Sequence, residues 1–512
     1  VASGPYGGLV VDALSDVMAT QRMKSARRPI SWWPVGLIAA SVTLLLLITS
    51  NRYGYHRDEL YFRLLADHPQ WGYADQPPFT PMLVRLGIEA FGDTLWAIRA
   101  PAALILGLTA VVAALIAREA GGGRAAQTIA ASAAFGAFPL SAAHVTSTTS
   151  ADLLVWLGVL FFTIRALLWD RPRAWLGAGV VAGLGLYNKH LVVILLLCLG
   201  AALLLAGPRS ALRSRHLWAG AALALLIGLP NLIYQMLNGF PQAEMAAAIA
   251  ADKGGESRRM LLPMQFALLT LPPVWIAGIV AVLREPRLRV LRAVAVAYPL
   301  MLLLVLVTAG QPYYPVGLLL GLLAIGAVPV ERWATGRAGR KALVAAGVLV
   351  TSAAGVLTSL PVIPADRLAG SLPIAVNQTI ADQLGWREYV WQVASVHAVL
   401  PEADRRRAVL FTGNYGEAGA LDRYGPSLGL PGVYSGHNEL HRYGPPPESR
   451  TVVIAVLQAE PDRASAMLGA CQTRARLHNS LGVENEEVGA RVYLCRISEP
   501  WSAVWPRLAH FS

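Results

Sequence analysis

The sequence predicts a polytopic α-helical membrane protein of about eleven spans, with a small α/β domain at its C-terminal end. Three observations predict it. Of 512 residues, 55% are hydrophobic and only 14% are charged, far below the charged share of a soluble domain. Leu, Ala and Val gather in blocks about twenty residues long, enough to cross a hydrocarbon layer of roughly 30 Å as helices. The arginines fall in short loops between those blocks. The formal net charge of +12 therefore reads as the bias of cytoplasmic loops and not as a nucleic-acid surface.

The elements follow in sequence order. Residues 1–31 read as a cytoplasmic tail, in which Arg22, Lys24, Arg27 and Arg28 precede the first apolar run. That run, Trp32 to Ile48, lacks a small-residue cleavage site, so it reads as a first transmembrane helix and not a signal peptide. Spans are expected at about 32–50, 95–117, 125–141, 150–169, 174–188, 190–206, 217–237, 263–283, 288–307, 313–330 and 340–359. The short 174–188 and its successor form a hairpin that turns at Asn188-Lys189. With the N-terminus inside, the cytoplasmic loops are "REAGGGR", "DRPRA", "GPRSALRSRH", "REPRLRV" and "ERWATGRAGRK", all Arg-rich. The short outside loops "SAAHVTSTTS" and "TAGQPYYP" contain no Lys or Arg. Two longer outside loops, 51–94 and 238–262, complete a membrane domain over 32–359.

An odd number of spans places residues 360–512 outside the cytoplasm. This region alternates β-branched runs ("RAVLFTG", "RTVVIAVLQ", "ARVYLCRI") with segments such as "GEAGALDRYG" and "PDRASAMLGA", the pattern of an α/β domain. Cys198 falls in a span, whereas Cys471 and Cys495 fall in this outside domain. An oxidising compartment permits a disulfide there, although spacing alone does not establish the pairing. No zinc-ligand spacing is present.

The polar residues point to function. "NRYGYHRDELYFRLLADHPQWGYADQPPFTP" follows the first span and packs His56, Arg57, Asp58 and Glu59 into four positions. Its aromatics and the pair Pro77-Pro78 set it apart from a solvated linker. Asp152 opens one span and Lys189 closes another, neither with a partner in its own segment. In the charge-derived topology these groups share one face of the membrane with His144, Gln311, Tyr313 and Tyr314. Ionisable groups placed this way mark a site more often than a structural role. A carboxylate can accept a proton from a hydroxyl. A Lys and tyrosine hydroxyls can hold a phosphate leaving group. Apolar walls can hold a lipid tail. Together these describe sugar transfer from a polyprenyl phosphate.

The segments "YHRDELYF", "GYADQPPFTPML", "TSTTSADLLVWLGVLFF", "GLGLYNKHLVV" and "PYYPVGLLLGLLAIGA" resemble, in order, family 39 glycosyltransferases of the GT-C superfamily. That family includes protein O-mannosyltransferases and the aminoarabinose transferase of lipid A. The resemblance spans about residues 32–330, and "NYGEAGALDRYGPSLGLPGVYSGHN" resembles the extracytoplasmic domain of a bacterial branch. It implies a multi-pass protein of the bacterial plasma membrane with a GT-C fold. It implies Asp58 as general base, Glu59 as the neighbour that orients or assists it, and Asp152 as a further acidic residue that shapes the acceptor side. Lys189 and Tyr313 or Tyr314 would lie at the donor phosphate, and Pro77-Pro78 would form the bend of the first loop. Related transferases often carry Lys where this sequence has Gln311, so a second cation is expected from Arg57, Arg258 or Arg259.

The expected reaction is an inverting transfer with a polyprenyl-phosphate sugar as donor and an unidentified protein, lipid or glycan acceptor. It needs no cofactor. His56, Asp58, Glu59, His144 and Asp152 can supply metal ligands, but their order is no recognised metal motif. In "TGNYGEAGALDRYG" the Gly and Asn are expected to make a turn and not a phosphate site, since no full nucleotide fingerprint is present. Acceptor contacts are expected from His144 and, unless "SGHNELHRYGPP" is simply a surface loop, from Tyr434, His437 and Asn438, with His441 nearby. The alternative class is a multi-span transporter or lipid flippase, which would show internal repeats and midplane polar groups.

Overall fold

The computed structural model describes residues 28–269 and 271–511. Residues 1–27 of the expected cytoplasmic tail therefore lie outside the described residues. In sequence order the membrane domain comprises α1 (Trp32–Thr49), α2 (Arg57–Ala66), α3 (Phe79–Phe91), α4 (Leu95–Glu119), α5 (Arg124–Ser132), α6 (Ala137–His144), α7 (Thr148–Leu168) and α8 (Ala174–Gly185). It continues with α9 (Leu191–Leu205), α10 (Arg215–Leu237), α11 (Pro241–Ala267), α12 (Pro272–Arg284), α13 (Arg292–Thr308), α14 (Val316–Ala334) and α15 (Ala338–Ser359).

Among the described residues, seven helical stretches are long and apolar enough to cross a membrane, and α11 with α12, bent by 92°, makes an eighth. The expected eleven is reached only by adding shorter pieces. Helices α8 and α9 have 12 and 15 residues, below the roughly 20 that a bilayer core requires. The expected span 125–141 is broken into α5 and α6 by a 3-10 turn at Ala133–Phe135 and an extended Gly136. The break is covered from α15: a Cβ on Gly355 would lie 2.2 Å from the Phe135 carbonyl, and the Ser359 hydroxyl donates to the Ala137 carbonyl at 2.8 Å. Main-chain groups exposed by a break inside a membrane need such partners.

The expected outside loop 238–262 is corrected outright. It forms most of α11, a 27-residue helix. Its charges and Gly254-Gly255 read as loop, yet "AEMAAAIAA" is rich in strong helix formers. The other long loop, 51–94, also contains two helices, α2 and α3.

The C-terminal domain is built on a five-stranded sheet in the order β2-β1-β3-β5-β4. The strands are β1 (Ala408–Thr412), β2 (Val433–Ser435), β3 (Val452–Leu457), β4 (Ala470–Arg476) and β5 (Arg491–Arg496). β1 is parallel to β2 and β3, whereas β5 is antiparallel to β3 and β4. All six β3 residues are buried, because both faces of the sheet are covered. On one face Val453, Ala455 and Leu457 pack with Trp501 and Trp505. On the other, Val452, Ile454 and Val456 share a core with α16 (Trp386–Ala398), α17 (Tyr415–Tyr424) and, from the membrane domain, Leu60, Tyr61 and Leu65 of α2. The two domains thus share one apolar core at α2. Cys471 and Cys495 face each other across β4 and β5 and are joined as a disulfide.

Candidate active site

The "HRDE" stretch is the N-terminus of α2. His56 is the N-cap, its ring nitrogen Nδ1 accepting from the Asp58 N–H at 3.2 Å, while Glu59 Oε2 accepts from the His56 N–H at 2.8 Å. This reciprocal cap, with two acids in the first helical turn, satisfies otherwise orphaned donors and suits the helix dipole. The two adjacent carboxylates then diverge. Glu59 is 0% exposed and takes two hydrogen bonds from Arg99, itself 1% exposed, at 2.8 and 2.7 Å. It also accepts the Thr146 N–H at 2.9 Å. Arg99 in turn bonds the carbonyls of Ser50 and Gly54, both at 2.7 Å. Expected as an assistant to the base, Glu59 is instead saturated as a structural tie between α2, α4 and the end of α1. His144, expected at the acceptor, belongs to the same tie: it is buried and its Nε2 lies 3.4 Å from Arg99.

Asp58 points the other way. Its side chain is 35% exposed, with Oδ2 3.8 Å from His56 Nδ1. Oδ1 accepts a hydrogen bond of 2.8 Å from the hydroxyl of Tyr415, a residue of the C-terminal domain. Arg57 lies over the Tyr415 ring at 5.0 Å and pairs with Glu486. Its charge is therefore engaged by the C-terminal domain, which corrects its expected duty at the donor phosphate.

Asp152, just past the first turn of α7, is buried, and its Oδ1 has no hydrogen-bond partner among the described residues. Lys189, in the turn after α8, is the cation within electrostatic range of it. The Lys189 ammonium stands 5.4 Å from the Tyr313 ring centre and 5.3 Å from that of Tyr314. Tyr313 is in electrostatic range of both Asp58 and Asp152. Five of the expected residues, Asp58, Asp152, Lys189, Tyr313 and Tyr314, thus surround one region, though they come from four separate segments. The Tyr pair is anchored from α11, where Gln265 donates to the Pro312 carbonyl at 2.8 Å. The first loop closes over the Lys189 turn: the Phe79 N–H, just past Pro77-Pro78, bonds the Tyr187 carbonyl at 2.8 Å. Arg258 and Arg259 are exposed and, among the described residues, bond the carbonyls of Leu306, Val307 and Gly255. These contacts hold the two arginines to α11 and the end of α13, and among the described residues neither shows a contact with Lys189, Tyr313 or Tyr314.

The remaining expected acceptor residues separate into two groups. Tyr434 packs edge-on against Trp505, and His441 stacks on the same ring, so both serve the sheet. His437 and Asn438 approach the site. His437 Nδ1 accepts from the Tyr415 N–H at 3.1 Å, and Asn438 approaches Asp75 at 3.4 Å. Asp75 is the residue that sequence reasoning missed, although it stands inside the quoted "GYADQPP". It accepts from the Tyr61 hydroxyl at 3.0 Å. Burial, together with the nearby Glu439 and Asp58 charges, pushes its carboxyl up to about 7. The site therefore holds one half-exposed carboxylate and, close by, one that binds its proton near neutrality. Among the described residues no group of three or more His, Cys, Asp or Glu side chains is placed to hold a metal ion.

The chain shares its fold with solved membrane proteins, and part of it matches a family model. Residues 75–234 match the model of the dolichyl-phosphate-mannose-protein mannosyltransferase family. The structure is similar to ArnT from Cupriavidus metallidurans in its apo state, with a TM-score of 0.59 at 16% identity over 93% of this chain and 99% of that one. The same protein bound to undecaprenyl phosphate matches with a TM-score of 0.55 at 15% identity, over 94% and 100%. The oligosaccharyltransferase of Archaeoglobus fulgidus matches with a TM-score of 0.51 at 12% identity, over 84% and 69%. No curated protein matches by sequence.

Proposed function

We propose that this protein is an inverting glycosyltransferase that moves a sugar from a polyprenyl-phosphate donor to an acceptor hydroxyl at the outer face of a bacterial plasma membrane. The observation that carries the proposal is the gathering of Asp58, Asp152, Lys189, Tyr313 and Tyr314 around one region of a GT-C fold. The acceptor hydroxyl attacks the anomeric carbon opposite the phosphate. Asp58 takes its proton, and the polyprenyl phosphate leaves with the bonding electron pair. A single displacement inverts the anomeric centre and needs no covalent sugar–enzyme intermediate. Lys189 and the Tyr313 and Tyr314 hydroxyls offset the charge on the departing phosphate, which needs electrostatic support more than a proton. Asp152, close to Lys189, lies toward the acceptor side. In the charge-derived topology the polar groups share one face and do not lie at midplane, so nothing favours the transporter reading.

Membrane vesicles containing the protein, supplied with polyprenyl-phosphate-linked sugars labelled in the sugar, test this. Label should leave the lipid and appear in a new product, and Asp58→Asn should stop that transfer. Movement of intact labelled lipid, or normal turnover by purified Asp58→Asn, overturns the proposal.

A further inference from the structure

We propose that Tyr415 of the C-terminal domain is a positioning residue that orients the Asp58 carboxylate, which makes this domain a working part of the transfer site. The inference rests on Asp58 as base. Helix α17 begins at Tyr415, and its first N–H groups are spoken for: Asn414 accepts from Gly416 at 2.6 Å, and His437 accepts from Tyr415 at 3.1 Å. The Gly and Asn of "TGNYGEAG" therefore make a capped turn that leaves these donors no anion to bind. The Tyr415 ring is held by Tyr61 at 4.7 Å, His437 at 4.9 Å and Arg57 at 5.0 Å. Held on three sides, its hydroxyl reaches Asp58 Oδ1 at 2.8 Å. Burial and the adjacent Asp58 charge keep that phenol protonated, so it donates.

The glycines explain how one domain sets a residue of the other so closely. A Cβ on Gly419 would lie 2.6 Å from both atoms of the Leu60 carbonyl group, and one on Gly416 would lie 2.9 Å from the Arg57 Cβ. Spaced three apart, they share one face of α17. Through that face α17 rests almost directly on the backbone of α2, and Tyr415 is thereby fixed against Asp58. An Asp at the second position of a helix, half exposed, would otherwise turn freely about its side-chain bonds. With Oδ1 occupied by the phenol, Oδ2 is the oxygen left for an acceptor hydroxyl.

The test uses the purified full-length protein with Tyr415→Phe, which keeps the ring and removes the hydroxyl. Carbodiimide labelling at one fixed near-neutral pH, read by mass spectrometry at Asp58, should be several-fold faster in the variant. With the donor identified by the vesicle assay, kcat should fall ~10- to 100-fold, the cost of a slightly misplaced reacting group, while the donor KM stays unchanged. Gly419→Ala, which retains the phenol but lifts α17, should give the same signature. Unchanged Asp58 labelling in Tyr415→Phe, or a raised KM with kcat preserved, overturns the proposal. The labelling arm does not depend on turnover, so its failure is distinguishable from a failure of Asp58 as base.

Discussion

Between Asp58 and Glu59 the α2 backbone turns by about 100°, and that rotation separates a half-exposed carboxylate from a fully buried one. Their substitutions should fail differently. Asp58→Asn should lose turnover by ~100-fold or more, the scale of a missing general base, with its melting temperature unchanged. Glu59→Gln leaves Arg99 buried beside a neutral partner and should cost about 3–5 kcal/mol of stability, read as a lower melting temperature in detergent. Lys189 is the cation at the expected phosphate position. Lys189→Met should raise the donor KM by ~10- to 100-fold, the worth of a charged hydrogen bond, and labelled-donor titration measures it. Adjacency of Asp and Glu was visible in the sequence. Their division of labour was not, because Arg99 lies forty residues away and meets Glu59 only after α4 packs on α2.

Helices here act through their ends. Helix α11 reaches the site through Gln265, which bonds the Leu261 and Pro312 carbonyls at 2.8 Å each and accepts from the Tyr298 hydroxyl at 3.4 Å. Gln265→Leu leaves the Pro312 carbonyl and the Tyr298 hydroxyl without these partners in a buried region. It should cost about 1–3 kcal/mol and raise the donor KM by loosening Tyr313 and Tyr314, whereas Gln265→Glu should keep part of the contact. Thermal unfolding and donor titration together check this. The "AEMAAAIAADKGGESRRM" stretch hid this helix because hydropathy weighs its charges, while the Ala-rich backbone folds regardless. Broken spans such as α5–α6 were hidden for the reverse reason: an apolar run reads as continuous whether or not Gly136 leaves the helix.

Across the whole molecule, the shared core at α2 couples the C-terminal domain to the membrane domain, and buried acids lie along that junction. Glu487 is 1% exposed, and neither carboxyl oxygen has a hydrogen-bond partner among the described residues. Burial pushes its pKa from 4.5 up to about 7, against a partial pull downward from Arg57. Because the folded pKa lies above the unfolded one, the folded state holds the proton more tightly. Stability falls as pH rises from about 4.5 through about 7, and above that the full cost of the buried charge is present. Glu487→Gln should flatten this dependence, matching the parent near pH 4.5 and exceeding it at pH 8. Melting temperatures of both proteins across that range check the sign.

Composition and hydrophobic period by themselves determined the helical membrane class, and the β-branched runs placed β1, β3 and β5. Apolar burial is encoded residue by residue along the sequence, and so are the charges that fill its loops. Asp58, Asp152, Lys189, Tyr313 and Tyr314 stood out because ionisable or paired aromatic groups at span ends need a reason. Only the tertiary structure decided that Arg57 serves Glu486, that His144 and Glu59 serve Arg99, and that Asp75 and Tyr415 stand beside the Asp58 carboxylate. Each of those outcomes depends on a partner remote in sequence. Tyr415 is 357 positions from Asp58, and its approach required two glycines whose only signature is the absence of a side chain.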